Sequence, residues 1–192
     1  MTGPRRRADA ERNIAAILTA AADIFGRGQS PAMAEVAAAA GVRRATLYAH
    51  FPSREELLDA VVAHAMNHTD EVLTTLALDD DSAGVAVERL VRRSWSILDR
   101  YRRLRTAALA ELGPERLRRH HDRTLHHVER LIRRGQDDGL FRTDLPLDWL
   151  VTTFYAVVHA AADEADAGHL AQDEAPDLLV TTVLSLLAGE GR

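Results

Sequence analysis

Apolar residues along this 192-residue chain recur at spacings of three and four, the period of helices buried on one side. The first such stretch places Ile14, Ile17, Leu18, Ala21 and Phe25 on one face and stops at Gly26-Arg27-Gly28. A short helix is predicted to follow, with Ser30 as its cap, Pro31 in its first position, and Met33, Val36, Ala37 and Ala40 inward. Gly41 then marks a tight turn, because glycine tolerates positive φ best, and a third short helix is predicted over 43–50 with Leu47 inward. Ser53 and Glu56 have the spacing of a reciprocal helix cap and open a long helix over 53–78. Beyond the acidic turn Asp79-Asp80-Asp81, the periodicity predicts helices over 82–100, 104–112, 115–138, 146–167 and 173–187. About nine helices and no strand make the predicted fold class all-α.

Composition changes that picture little. The 33 alanines favour helix, and the absence of cysteine excludes a disulfide scaffold, zinc-thiolate sites, iron–sulfur clusters and a cysteine nucleophile. No apolar run reaches the roughly 18 residues of a membrane span, and the N-terminus lacks a signal peptide's apolar core. The expectation is a cytoplasmic protein with no membrane partner.

Charge changes it more. The chain nets −5, and all its basic residues are arginine, yet residues 1–54 carry eight arginines against four acids. A basic head on an acidic body points to a polyanionic partner for the head alone. The run Arg5-Arg6-Arg7, within a predicted flexible basic arm over 1–10, reads equally as a tracker of phosphate or minor groove and as a solvated tail.

The segment MAEVAAAAGVRRATLYAHFPSREEL, residues 33–57, then carries the functional inference. Two short helices around a glycine turn form a helix-turn-helix, whose second helix enters the major groove and meets edges that distinguish all four base pairs. Ala37 and Ala40 are small where the helices cross, and Arg43, Arg44, Thr46 and Tyr48 can meet phosphates or bases.

In these residues the chain resembles the tetracycline-repressor (TetR) family of bacterial transcriptional regulators. The shared pattern is Val36-Ala37, Ala40-Gly41-Val42, Thr46-Leu47-Tyr48, His50-Phe51, Arg54-Glu55 and Leu57, preceded by Ala21-Ala22, Ile24-Phe25 and Gly28. The resemblance is strong over about residues 11–60, and the spacing of Gly135 from Gly139-Leu140-Phe141-Arg142 is similar to a turn before that family's last helix pair. It implies a DNA-reading domain over 1–54 and a ligand-binding and dimerisation domain over 55–192. It also implies that Tyr48, His50 and Arg54 anchor phosphates while Arg43, Arg44, Ala45 and Thr46 face bases or nearby backbone. Two departures stand out: Ala32 replaces a usual Thr or Ser near the start of the second helix, and Arg43 replaces a usual serine cap.

By the same resemblance, an unidentified small-molecule effector lies among the later helices. Its candidate lining is Trp95, Leu98, Tyr101, Leu109, Leu117, His121, Trp149, Phe154 and Val158, each of which also reads as plain core. The last two helices, through Phe154, Val157, Ala161, Leu178, Thr182 and Leu186, are the expected homodimer seam. No catalytic residue, cofactor or metal is expected. His120, His121, His126 and His127 lack the spacing that sets two imidazoles on one metal, and no phosphate-binding glycine loop or hydrolase signature occurs. Residues 89–134 hold 14 arginines and five acids; they read as solvated faces paired with distant acids or, alternatively, as an anion-binding surface. The reading is a homodimeric regulator, a repressor released from a palindromic double-stranded DNA operator by a ligand. The alternative is a helical small-molecule-binding protein whose head docks on protein.

Overall fold

The computed structural model describes residues 4–189, with side chains from residue 8 onward. Among the described residues nine helices form: α1 Pro4–Gly26, α2 Met33–Ala39, α3 Arg44–His50, α4 Arg54–Thr74, α5 Ala83–Leu112, α6 Pro114–Arg119, α7 Asp122–Asp137, α8 Leu147–Asp166 and α9 Ala175–Leu187. Extended pairing among the described residues is limited to one isolated antiparallel bridge between Phe141 and Ala188.

The helices differ from the expected boundaries in five places, and the first is α4, which ends at Thr74 rather than at 78. Residues 4–10 are the first turns of α1 rather than a separate arm, as suits a stretch of Ala and Arg opened by Pro4. The Arg5, Arg6 and Arg7 side chains lie outside the described residues, so the reading of that run as an arm or a tail does too. Ser30 does not cap α2. The cap position belongs to Ala32, which has no side-chain oxygen, and the Glu35 carboxylate accepts its backbone N–H at 2.8 Å instead. The break expected between 100 and 104 is absent, because no Gly or Pro interrupts those strong helix formers. Conversely, the helix expected over 115–138 parts at His120 and His121, where the His120 ring reaches Asp59 on α4.

Two compact units organise the helices: Met1–His68 with Tyr101–His120, and Thr69–Arg100 with His121–Arg192. Both α4 and α5 contribute a segment to each unit. In the first, Ile17, Phe25, Val36, Leu47, Leu57, Leu58 and Val61 are almost wholly buried, joined by Leu104, Ala108 and Leu117. The unit that contains the head therefore extends past residue 54, because α4 buries its first turns in the same core as α1–α3. Burying one such Leu, Ile or Phe contributes about 1.5–3 kcal/mol.

The second core gathers Leu90, Val91 and Trp95 from α5, Leu125, Val128, Leu131 and Ile132 from α7, and the inner faces of α8 and α9. Its tightest contact explains the glycine at 135. The Phe141 ring lies so close that a Cβ built on Gly135 would sit 2.0 Å from it. The chain turns sharply to bring it there, with the Phe141 N–H donating to the Gly135 carbonyl at 2.9 Å. The Arg142 N–H then reaches the Leu187 carbonyl at 2.8 Å, fastening the turn to the end of α9.

Candidate nucleic-acid interface

The turn between α2 and α3 is set by one backbone requirement. Gly41 has φ +66, a conformation that costs an L side chain about 1–2 kcal/mol, and it lets the Val42 N–H donate to the Ala37 carbonyl at 3.0 Å. Val36 and Ala37 are buried beneath this turn, and Val42 packs on the same core. From there α3 runs seven residues with Leu47 fully buried as its anchor.

That anchor decides which side chains face outward. Around it Arg44, Ala45 and Tyr48 are exposed while Thr46 and His50 are half-buried. Tyr48 keeps 44% of its surface exposed, unusual for so large a ring in a packed three-helix head. Arg43 occupies the cap position without a side-chain cap bond, leaving its guanidinium outward. Among the described residues, Arg43 and Arg44 have no ion-pair or hydrogen-bond partner. The outward face thus offers two unpaired forks, a phenol and an imidazole. These groups can bind phosphate oxygens and the N7 and O6 acceptors of guanine.

Arg54 is placed differently from its expected role. Its Nε donates to both Glu111 oxygens at 3.0 and 3.1 Å, and Nη2 donates to Glu111 at 2.8 Å and to Ser30 Oγ at 2.9 Å. Nη1 donates to the Pro31 carbonyl, and the guanidinium carbon sits 5.1 Å from the centre of the Phe25 ring. The side chain thereby ties the segment before α2 to α4 and to the end of α5. Beside it, Ser53 Oγ accepts the Glu56 N–H at 3.1 Å, one half of the anticipated cap. On the same unit, Arg116 and His120 both bond Asp59, at 2.9 and 2.8 Å. Burial opposes ionisation of Asp59, but those two hydrogen bonds and the charges behind them outweigh it and hold the carboxyl below its ordinary range.

The residues expected to line an effector site separate between the two units. Tyr101, Leu109 and Leu117 belong to the first unit's core. Trp95, Leu98, Phe154 and Val158 belong to the second unit's core. Trp149 is 58% exposed on the outside of α8. His121, at the start of α7, meets Tyr155 and His159 of α8, with ring centres 5.1 Å from each and 4.2 Å between the latter two. Sequence reading missed Tyr155 and His159, although their spacing of four put both on one face of a helix. The arginine-rich segment is largely paired: Arg89 with Asp81, Arg116 with Glu55 and Asp59, Arg133 with Glu129, and Arg134 with Asp79.

Comparison with known proteins agrees with this geometry. Residues 17–61 match the model for bacterial regulatory proteins of the tetR family, the span that contains α2, α3 and the start of α4. The HTH-type transcriptional repressor LfrR of Mycolicibacterium smegmatis is 25% identical over 188 residues, covering 96% of each chain. The crystal structure of LfrR superposes with a TM-score of 0.67 at 22% identity, covering 94% of this chain and 98% of that one. The transcriptional regulator FadR of Bacillus subtilis gives a TM-score of 0.73 at 16% identity, covering 92% of this chain and 98% of its own. The matched head, the full-length relative and the shared fold together make the chain similar to TetR-family DNA-binding transcription regulators.

Proposed function

We propose that the protein is a homodimeric repressor that sets one α3 from each protomer into successive major grooves of a palindromic operator. The observation that carries this reading is the outward face of α3, where Arg43, Arg44 and Tyr48 stand exposed over the buried Leu47. Arg43 and Arg44 read base edges, each bidentate guanine contact adding about 1–3 kcal/mol of discrimination. Ala45 and Thr46 meet bases or adjacent backbone, and Tyr48 and His50 bind phosphate. Arg54 acts one step back, holding α4 and the α2 entry in register. The reading head is residues 1–54, and residues 55–192 serve ligand binding and dimerisation. Such a regulator works in the cytoplasm, and no helix among the described residues is long and apolar enough to cross a membrane.

Dimerisation is assigned to the outer faces of α8 and α9. Trp149, Thr152, Ala156 and Ala160 recur along the exposed side of α8, and Leu178, Thr181, Thr182 and Ser185 along that of α9. Trp149 and Leu178, both more than half exposed, are the apolar anchors. Phe154, expected in this seam, instead fills the second core.

Release is assigned to a small molecule in the second unit, bounded by Trp95, Leu98, Phe154, Val158 and the ring group His121, Tyr155 and His159. The LfrR structure is a complex with proflavine and the FadR structure a complex with stearoyl-CoA, which supports a ligand-holding role for this fold. An effector must favour the released state by about 5.5 kcal/mol to move it from 1% to 99%. The test is selection of genomic fragments by the purified protein, followed by sedimentation with and without operator. Enrichment of a palindrome bound by a dimer is the expected result. Fragments without a common site, or a monomer at operator-saturating concentration, would overturn the reading.

A further inference from the structure

A groove of about 280 Å³ lies between the end of α4 and α7, wholly within the second unit, lined by Asp70 and Thr74 and by Arg123, His126, His127 and Arg130. The four α7 residues follow one another at i, i+3, i+4 and i+7, which sets them along one face of that helix. At the floor, the half-buried His127 donates through Nε2 to Asp70 Oδ1 at 2.8 Å. The Thr74 hydroxyl donates to the Asp70 carbonyl at 2.8 Å. The acid and the hydroxyl proton of the groove are therefore already engaged.

The basic groups at the rim are not. Among the described residues, Arg123 and His126 have no hydrogen-bond or ion-pair partner, and both are exposed. Arg130 approaches Asp79 only at 4.0 Å, too long for a hydrogen bond, with both side chains well exposed. By contrast Arg89, Arg116 and Arg134 of the same segment each hold a carboxylate or a carbonyl. The groove thus presents one free guanidinium fork, a second that Asp79 approaches only loosely, and an imidazole over a hydrogen-bonded acid, in a chain whose net charge is −5.

We propose that this groove binds a phosphate-type dianion, either inorganic phosphate or the phosphate group of a small phosphomonoester. Guanidinium forks match the spacing of phosphate oxygens, and two of them set two positive charges against a dianion. Arg123 and Arg130 stand two turns apart, about 10 Å along the axis, so their long side chains can close from opposite ends. His126 supplies a donor between them. Because Asp70 and Thr74 lie on α4, an occupant ties the end of that helix to α7. The assignment is independent of operator binding and is tested without DNA.

The test is calorimetric titration of the full chain at fixed ionic strength and pH 7 with inorganic phosphate, with glycerol phosphate, and with chloride as control. Saturable binding of one phosphate-bearing probe per chain is expected, with Arg123→Gln and Arg130→Gln each weakening it about tenfold or more. Asp70→Asn, which removes the carboxylate lining the groove, is expected to preserve or strengthen binding. Uptake of both probes assigns the site to the phosphate group itself, and uptake of glycerol phosphate alone assigns it to organic monoesters. All three substitutions are at exposed or half-buried positions, and far-UV circular dichroism confirms that each variant is folded. No saturable binding, equal competition by chloride, or unchanged affinity in both folded arginine variants would overturn the proposal.

Discussion

Replacing Arg54 with alanine separates a brace from a phosphate contact. The wild-type guanidinium donates through Nε and Nη2 to Glu111 and once each to Ser30 Oγ and the Pro31 carbonyl, with both charged side chains about 30% exposed. An ion pair at that exposure is discounted to about 1 kcal/mol. The bond to the carbonyl of the buried Pro31 adds about 1–2 kcal/mol, since its loss strands an acceptor. Arg54→Ala should therefore cost about 2–3 kcal/mol, and Glu111→Ala about 1 kcal/mol. Arg54→Lys should fall between wild type and alanine, because an ammonium cannot reach three partners at once. Urea unfolding followed by far-UV circular dichroism measures each cost, and a double-mutant cycle with Glu111 should return a coupling of about 1 kcal/mol. The second arm is DNA binding as a function of salt. A brace leaves the log–log slope unchanged, whereas a lost phosphate contact lowers it by about 0.9 per protomer. An Arg54→Ala protein with wild-type stability and a reduced slope would refute the reasoning.

Two further outcomes follow from the packing and the charges. Gly135→Ala forces a methyl against the buried Phe141 ring, so the roughly 1 kcal/mol helix gain of alanine should be overwhelmed by overpacking and thermal stability should fall by about 2 kcal/mol. Adding Gly135→Ala to a Phe141→Ala protein should instead be neutral or stabilising, which thermal melts of the four proteins would check. Asp59 is held below its ordinary value of 3.8, so its folded-state advantage is present above the unfolded value and is lost as pH falls through the lowered one. The stability difference between wild type and Asp59→Asn should accordingly be constant above about pH 5 and shrink only below it, as urea titrations at a series of pH values would show.

The head was legible because its constraints are local. Gly41 at positive φ, Leu47 as the inward anchor of α3 and Ser53 as the cap of α4 each act within four residues of themselves. Arg54 was legible by position but not by orientation, since its carboxylate partner lies 57 residues away. The start of α2 was missed although its cap is local, with Glu35 three residues on supplying the oxygen that Ala32 lacks. Distance also hid the break at His120 and His121, which carries no Gly or Pro and coincides with the reach of His120 to Asp59. The effector region was the least legible. Periodicity marks Trp95, Leu117, Phe154 and Val158 as inward, but inward does not specify which of two cores a residue enters. The meeting of His121 with Tyr155 and His159 depends on packing between α7 and α8.

The central claim is that the outward face of α3 reads operator DNA, and affinity for the selected operator in wild type and in an Arg44→Ala/Tyr48→Ala variant tests it most directly. Losing one base contact and one phosphate contact per protomer should weaken binding at least about thirtyfold. The buried Leu47 anchor is untouched, so helix content and sedimentation should remain those of the wild type. The footprint of the wild type should show half-sites centred about 34–36 Å apart, or a multiple of that spacing. A folded double variant that binds the operator as tightly as wild type would contradict the account.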